Sequence, residues 1–190
     1  NIPIDIVAGT SVGAVIGALH ASGMSGLAIK EYVLGFDRNQ RRKMVDLSLS
    51  RTGLISGEKL IHELRKLMGG EITFSQLKKP FACVACDIIT GEEVVMTRGS
   101  VVEAVRASIS IPVVFAAVKR KGRYLIDGGL VNQVPVNIVR AMGADYVIAV
   151  NVVPRHLSKV KHKLVEEKTK PASDIGPHPN IFNIMMNTLD

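Results

Sequence analysis

The feature that most constrains the fold is a strand, a tight turn and a helix that follow one another near the start of the chain. Residues 4–8 form a short apolar run rich in β-branched side chains, which predicts a buried strand. Residues 12–22 are apolar and rich in alanine, which predicts a helix with Gly23 as its C-cap. The turn between them reads Gly9-Thr-Ser-Val-Gly13. A strand that leads directly into a helix is typical of α/β folds.

The rest of the sequence continues the alternation of strands and helices. Runs of strand length occupy residues 80–89, 92–97, 113–118, 123–127 and 145–152, and helices are predicted for residues 27–34, 56–68, 100–107 and 136–142. We therefore expect one α/β domain over residues 1–190, with a mainly parallel central sheet and helices on both faces. Hairpins add some antiparallel strands. Residues 37–52 and 155–180 are expected to be loops, and residues 181–190 the start of a helix.

Ser11 is the candidate nucleophile, because the turn displays its hydroxyl at the N-terminus of a helix. Gly9 and Gly13 leave room for strand and helix to approach closely. At a helix N-terminus the dipole and the free N–H groups stabilise a developing oxyanion, and the N–H of Val12 is the natural first donor. Two other interpretations remain open. Ser11 can be an ordinary N-cap, or the turn can bind phosphate, although the sequence lacks both common phosphate-loop patterns.

A serine nucleophile needs a base, and Asp127 is the better candidate than any of the five histidines. None of the histidines stands at the end of a predicted strand, although His156 follows the last strand closely. Asp127 ends a strand and is followed by Gly128 and Gly129, which let the chain turn so that the carboxylate can face a site. Burial would raise its pKa and make it a stronger base. The alternative is a hairpin turn at Asp-Gly-Gly. Asp87 is a second acid at a strand end, ranked lower because a hairpin follows it.

Composition and charge exclude several classes of protein. No apolar run reaches the roughly 18 residues that span a bilayer. The two cysteines, Cys83 and Cys86, lie three apart on a predicted strand and so point to opposite faces, which indicates core residues rather than a redox or zinc pair. The net charge of +7 favours anionic partners such as lipid head groups. Aromatic residues are scarce and no nucleic-acid-binding motif occurs, so nucleic acid is not expected as a partner.

Several motifs together resemble the patatin-like phospholipases, especially the bacterial members and the lysophospholipase domains related to neuropathy target esterase. Two motifs carry most of this resemblance, and both contain the candidate site residues: residues 4–13, which end in Gly-Thr-Ser-Val-Gly, and Asp127-Gly-Gly129. The supporting pieces are Gly53-Leu-Ile-Ser-Gly-Glu58, Ala85-Cys-Asp87 with Thr90-Gly91, and Arg106-Ala-Ser-Ile-Ser-Ile-Pro112 with Phe115.

The resemblance implies a three-layer α/β fold and a Ser–Asp dyad without histidine, formed by Ser11 and Asp127. It also implies hydrolysis of a lipid or lysophospholipid ester through an acyl-enzyme, with no cofactor and no metal. Two other functions remain open: an acyltransferase and a non-catalytic lipid-binding module. We expect a cytoplasmic protein that docks on anionic membranes through basic clusters at residues 38–43, 119–123 and 155–170.

One part of the family pattern has no counterpart in the sequence. The family has a Gly-rich loop upstream of the nucleophile that supplies oxyanion donors, and nothing precedes Asn1 here. The sequence therefore predicts a fragment, cut also at its C-terminus, whose activity alone is weak because each lost donor costs roughly 10²–10³ in turnover. A missing strand would also expose a sheet edge, and the chain is then expected to self-associate there.

Overall fold

The computed structural model describes residues 2–35 and 57–152. The chain divides into two compact units, Asn1–Ala149 and Val150–Asp190, and every helix and strand described here belongs to the first. In chain order the elements are β1 (Val7–Thr10), α1 (Val12–Ala21), α2 (Gly26–Leu34), α3 (Glu58–Met68), β2 (Phe81–Asp87), β3 (Glu93–Met96), α4 (Val101–Ser108), β4 (Val118–Arg120), β5 (Arg123–Asp127) and α5 (Val136–Ala141).

The sheet is mixed, with fewer parallel pairs than the sequence predicts. β1 and β2 are parallel, whereas β2 pairs with β3 and with β5 in the antiparallel sense, and so does β4 with β5. Short turns join β2 to β3 and β4 to β5, and a strand that returns through a short turn can pair only in the antiparallel direction. The expected hairpins therefore account for two of the three antiparallel pairings among the described strands.

β2 is the centre of the sheet, and its pairing register positions the candidate site. β3 pairs with residues 83–86 of β2 along one edge. β1 pairs with residues 81–84 and β5 with residues 85–87, so both must share the opposite edge. β1 runs parallel to β2 and β5 runs against it. Their C-terminal ends therefore meet beside Val84 and Ala85.

Both faces of β2 are covered, because all seven of its residues are buried. On one face, Phe81, Cys83 and Ala85 join the hydrophobic core with the small side chains of α1 and the valines of α4. A Cβ on Gly17 of α1 would lie 2.9 Å from the Phe81 ring, so glycine allows this helix to approach the sheet closely.

The two cysteines are free and buried, as predicted for core residues. Cys83 packs in the core between sheet and helices, and burial raises its pKa to about 12. A thiol with so high a pKa carries almost no thiolate at neutral pH, which makes it a poor nucleophile and metal ligand.

Two predicted strands differ in the structure. The strand expected over residues 113–118 begins only at Val118, because the chain first forms a turn: the N–H groups of Val114 and Phe115 donate to the carbonyl of Ile111, and Val113 has a φ of 72°. The segment 145–152 was predicted to be a buried strand, and this is wrong. It forms no strand, and its Tyr146 side chain is 94% exposed. Residues 145–148 line a cavity of about 620 Å³ together with residues 2–8.

The helix boundaries agree closely with the predictions, apart from one cap. Ser100 caps α4, where its hydroxyl accepts a hydrogen bond from the N–H of Glu103. α3 begins at Glu58 after Gly57, whereas the expected cap Ser56 lies outside the described residues. The same holds for the predicted loops over residues 37–52 and 155–180, the helix at 181–190 and the basic clusters 38–43 and 155–170. Within residues 2–35 and 57–152, no helix has the length and apolar character that a bilayer crossing requires.

Candidate active site

The ends of β1 and β5 bring Ser11 and Asp127 together, although 116 residues separate them in sequence. Ser11 follows the last residue of β1, and Asp127 is the last residue of β5. A further bond ties the two ends, since the Thr10 hydroxyl donates to the carbonyl of Asn132 at 2.8 Å. The meeting point is therefore fixed by the pairing of both strands with the same edge of β2.

Ser11 occupies a strained corner between β1 and α1. Its φ is 55° and its ψ is −125°, a combination of backbone angles that residues other than glycine rarely adopt. Such conformations cost on the order of 1–3 kcal/mol and persist only where the surrounding structure imposes them. Ser11 stands at the N-cap position of α1, yet its side chain makes no capping hydrogen bond. The N-cap interpretation therefore does not account for the orientation of its hydroxyl.

The two motif glycines act differently at this corner. A Cβ on Gly9 would lie 2.2 Å from the carbonyl oxygen of Gly13, so a side chain at residue 9 cannot fit against the first turn of α1. A Cβ on Gly13 would meet nothing within 4 Å. Gly9 is thus required for the close packing of strand and helix, whereas the space beside Gly13 is open.

The Ser11 hydroxyl donates a hydrogen bond of 2.5 Å to Oδ2 of Asp127. The other carboxylate oxygen, Oδ1, accepts the backbone N–H of Gly129 at 2.7 Å. Asp127 is only 7% exposed, and its burial raises the pKa of the carboxyl group, while the bonds from Ser11 and Gly129 act in the opposite direction. The result is a carboxylate that is more basic than an ordinary aspartate.

Gly128 and Gly129 let the chain fold back tightly after Asp127. A Cβ on Gly128 would lie 2.3 Å from the carbonyl oxygen of Val84, and a Cβ on Gly129 would lie 3.0 Å from Oδ1 of Asp127. The two glycines form a short 3-10 turn over Gly128–Leu130. The alternative of a hairpin turn at Asp-Gly-Gly is therefore wrong, because the chain continues into this turn and then towards α5.

Asp87, the lower-ranked acid, is the last residue of β2, where the turn to β3 begins. Its Oδ1 accepts the N–H of Ile89 at 3.0 Å, and its Oδ2 lies 3.5 Å from Nη1 of Arg123. Its carboxylate thus bonds the turn that follows, and Asp87 stands beside the β2–β3 hairpin that the sequence predicts.

Neither histidine within the described residues is hydrogen-bonded to the dyad. His20 is near the far end of α1, about 13 Å along the helix axis from Ser11, and its Nδ1 lies 3.2 Å from the carbonyl of Met24. His62 belongs to α3. The described residues also contain no group of three potential metal ligands among histidine, cysteine, aspartate and glutamate.

Two buried serines of the segment 106–112, to which the sequence analysis gave no role of their own, adjoin the Ser11–Asp127 pair. The hydroxyl of Ser108, at the end of α4, accepts the backbone N–H of Ser11 at 3.0 Å. The carbonyl of Ser110 accepts the backbone N–H of Asp127 at 2.9 Å. Both serines are fully buried. Burial of a hydroxyl among apolar residues is costly unless it is bonded, but a single sequence does not show which serines are buried.

An apolar groove begins beside the corner and follows α1. Val12, Val15, Ile16 and Leu19 form one stripe along the helix, and together with residues of α2 and α3 they enclose a volume of about 470 Å³. The polar exceptions in the lining are Tyr32 and Glu63. The backbone N–H of Val12 donates to no acceptor in the described part of the chain. The dyad, a free donor and an apolar groove thus adjoin one another.

Comparisons with known proteins show what this chain is similar to. The sequence profile named patatin-like phospholipase matches residues 1–140. An uncharacterised NTE family protein of Mycobacterium bovis is 34% identical over 146 residues, which cover 77% of this chain and 40% of that protein. The patatin-like phospholipase domain-containing protein 7 of Mus musculus is 31% identical over 158 residues, which cover 80% of this chain and 12% of that protein.

Among solved structures, VipD from Legionella pneumophila aligns with a TM-score of 0.47 and 16% identity, over 85% of this chain and 47% of that one. The chain spans about 40% of the length of the mycobacterial relative. The profile match covers well over half of the sequence, and the layers, the mixed open sheet and the strand-to-helix corner are those of an α/β patatin fold. The chain belongs to the patatin-like phospholipase family.

Proposed function

We propose that this protein is a serine acyl hydrolase that cleaves lipid esters, with Ser11 as nucleophile and Asp127 as its base. The observation that carries the proposal is the 2.5 Å hydrogen bond from the Ser11 hydroxyl to a buried carboxylate of raised pKa. A hydroxyl at a strained helix N-terminus, bonded to a basic group, is the arrangement of an activated nucleophile.

The reaction proceeds in two steps. Ser11 Oγ attacks the ester carbonyl as its proton passes to Asp127, and the oxyanion accepts a hydrogen bond from the N–H of Val12. The intermediate collapses, the leaving alcohol takes the proton from Asp127, and an acyl-enzyme remains on Ser11. Water then attacks the acyl group while Asp127 accepts its proton, the fatty acid is released, and the proton returns to Ser11 Oγ.

The apolar groove along α1 supports a lipid as the substrate. Its first residue, Val12, is next to the nucleophile, and the stripe from Val12 to Leu19 leads away from the site along one helix face. A groove lined almost entirely by apolar side chains suits an acyl chain better than a charged head group, since burial of a charge among apolar groups is costly. We therefore place the acyl chain in the groove and the head group on the solvent side.

The test is a comparison of wild-type protein with Ser11→Ala, using a fluorophosphonate probe and a series of p-nitrophenyl esters of increasing chain length. Ser22→Ala is the matched control, because the Ser22 hydroxyl bonds the Leu19 carbonyl at the other end of α1. Wild type and control are expected to be labelled and to prefer long acyl chains, whereas Ser11→Ala does neither.

Equal labelling of the Ser11→Ala protein would remove Ser11 as the nucleophile. A wild-type protein that is never labelled would favour the non-catalytic lipid-binding alternative. Transfer of the acyl group to an added alcohol in preference to water would favour an acyltransferase. A preference for acetate over palmitate esters would contradict the placement of the acyl chain in the groove.

A further inference from the structure

The hydroxyl of Ser108 bridges β2 and the nucleophile corner. It accepts the Ser11 N–H at 3.0 Å and donates to the carbonyl of Val84 at 2.6 Å. The direction of both bonds is fixed by chemistry, because an N–H can only donate and a carbonyl can only accept. The single proton of the Ser108 hydroxyl is therefore directed to Val84, and a lone pair faces Ser11.

We propose that Ser108 is a positioning residue for the hydrolysis: it holds the backbone of Ser11 in the strained conformation that aims the hydroxyl at Asp127. This inference rests on the proposed function. The N–H of Ser11 lies in the peptide plane that precedes its Cα, so a hydrogen bond to this N–H restrains the φ angle. The φ of 55° is strained and needs such a restraint from outside the turn to persist. Ser108 supplies that restraint from a fully buried side chain at the end of a helix.

The same short segment also holds the base. The carbonyl of Ser110 accepts the N–H of Asp127 at 2.9 Å, and the guanidinium of Arg106 donates to the Ser110 hydroxyl at 2.5 Å. Residues 108–110 thus bind the nucleophile through a side chain and the base through the main chain. One buried segment, separate from both strands of the dyad, fixes the distance between the two reacting groups.

Loss of the Ser108 hydroxyl is expected to lower kcat and to leave KM nearly unchanged. In Ser108→Ala the Ser11 N–H loses its acceptor, and the corner can relax away from the attacking geometry. Misplacement by about 1 Å can cost roughly 10²-fold in rate, so we expect a fall in kcat of about 10- to 100-fold. The acidic limb of the pH profile should move to higher pH, because a weakened bond from Ser11 lowers the pKa of Asp127 less, whereas the bond from Gly129 is untouched.

The experiment measures kcat per active site rather than per molecule. One sample each of the wild-type, Ser108→Ala and Ser22→Ala proteins is labelled to completion with a fluorophosphonate to count the active sites. The turnover of a second, unlabelled sample is then divided by that number. A merely structural role would reduce the number of sites and leave the turnover of each site unchanged. Positioning predicts a full complement of sites with reduced turnover in Ser108→Ala, and normal turnover per site in Ser22→Ala.

Wild-type turnover per site in Ser108→Ala would overturn the inference. Should that variant yield no folded protein, Ser108→Cys replaces it, because a thiol is a weaker donor and acceptor than a hydroxyl. Wild-type turnover per site in Ser108→Cys would then overturn the inference in the same way. Failure of the proposed function is distinguishable, since the wild-type protein itself would neither be labelled nor turn over.

Discussion

At the scale of single residues, Asp127 combines two opposing demands. A buried carboxylate is a better base when its pKa is raised, yet the folded protein loses stability whenever that group must ionise. The pKa of Asp127 is raised above its ordinary value of 3.8 chiefly by burial. As pH rises from that ordinary value through the folded-state pKa, the unfolded chain ionises first, so the free energy of unfolding falls.

We predict that Asp127→Asn is nearly inactive and more stable than the wild type at neutral pH. An amide cannot accept the proton of Ser11, and the loss of a general base costs about 10²–10⁴-fold in kcat. Asparagine can still accept the Gly129 N–H, and it needs no ionisation in a buried place. Thermal unfolding should show a Tm higher by a few degrees at pH 7, with the difference shrinking towards pH 4. A lower Tm for the variant at pH 7 would contradict this account.

The pH dependence of wild-type activity should also reveal the raised pKa of Asp127. Only the ionised Asp127 can accept the proton of Ser11, so kcat/KM is expected to rise with pH through the folded-state pKa of this carboxyl. Because burial raises that pKa, the acidic limb should lie above the position expected for an exposed aspartate. Measurement of kcat/KM against pH with a neutral ester locates the limb.

At the scale of elements, the strand-to-helix corner depends on two glycines with opposite requirements. We predict that Gly9→Ala destabilises the protein by about 2 kcal/mol or more, because its Cβ would lie 2.2 Å from a backbone oxygen that belongs to the first turn of α1. Gly13→Ala should stabilise it by about 0.5–1 kcal/mol, since alanine favours a helix and its Cβ meets open space. Denaturant unfolding of both variants shows whether each change lowers or raises the free energy of unfolding.

If Gly9→Ala and Gly13→Ala lowered the free energy of unfolding equally, the corner would tolerate no side chain at either glycine. Gly13→Ala thus serves as the control for Gly9→Ala, because both changes add one methyl group to the same five-residue motif. The motif alone does not assign these roles, since the effect of a side chain at each glycine depends on how the strand and the helix pack.

The corner, the strand that ends in Asp127 and most helices could be predicted from periodicity and turn residues. The same signals wrongly predicted a strand over residues 145–152, because an apolar run becomes a strand only where another strand can pair with it. Tyr146 and Ile148 are exposed beside a cavity instead. The roles of Ser108 and Ser110 were missed for a related reason. Both stand in the segment 106–112 quoted for the resemblance, but their partners lie 97 and 17 residues away in sequence, and the segment alone does not show those contacts.

At the scale of the whole molecule, the register of one strand determines the site. β1 and β5 come from distant parts of the sequence, yet both pair with the same edge of β2 and end at adjacent positions, Val84 and Ala85. The hydrogen-bonded pair of Ser11 and Asp127 is therefore a consequence of topology. Substitutions that shift the register of β2 should impair activity even when they touch neither Ser11 nor Asp127.

Charge is the second property of the whole chain, and within the described residues it is partly neutralised. In the basic cluster 119–123, Arg123 lies near Glu92 and Asp87, and Arg120 bonds the carbonyl of Arg98 and the sulfur of Met96. Lys119 lies over the ring of Tyr124. Of these three side chains only Arg123 has its charge offset by carboxylates, so the hairpin offers an anionic surface less net positive charge than its sequence suggests.

The net charge of +7 still predicts an electrostatic component in membrane docking, which we propose as the route to lipid substrates. Binding to vesicles that contain phosphatidylglycerol should weaken markedly between about 0.05 M and 0.5 M salt, because the screening length falls over this range. Vesicles of phosphatidylcholine alone are the control and should bind weakly at both salt concentrations. Sedimentation with the vesicles measures the bound fraction. Binding to the anionic vesicles that does not change with salt would show that apolar contacts, such as those of the groove along α1, govern docking instead.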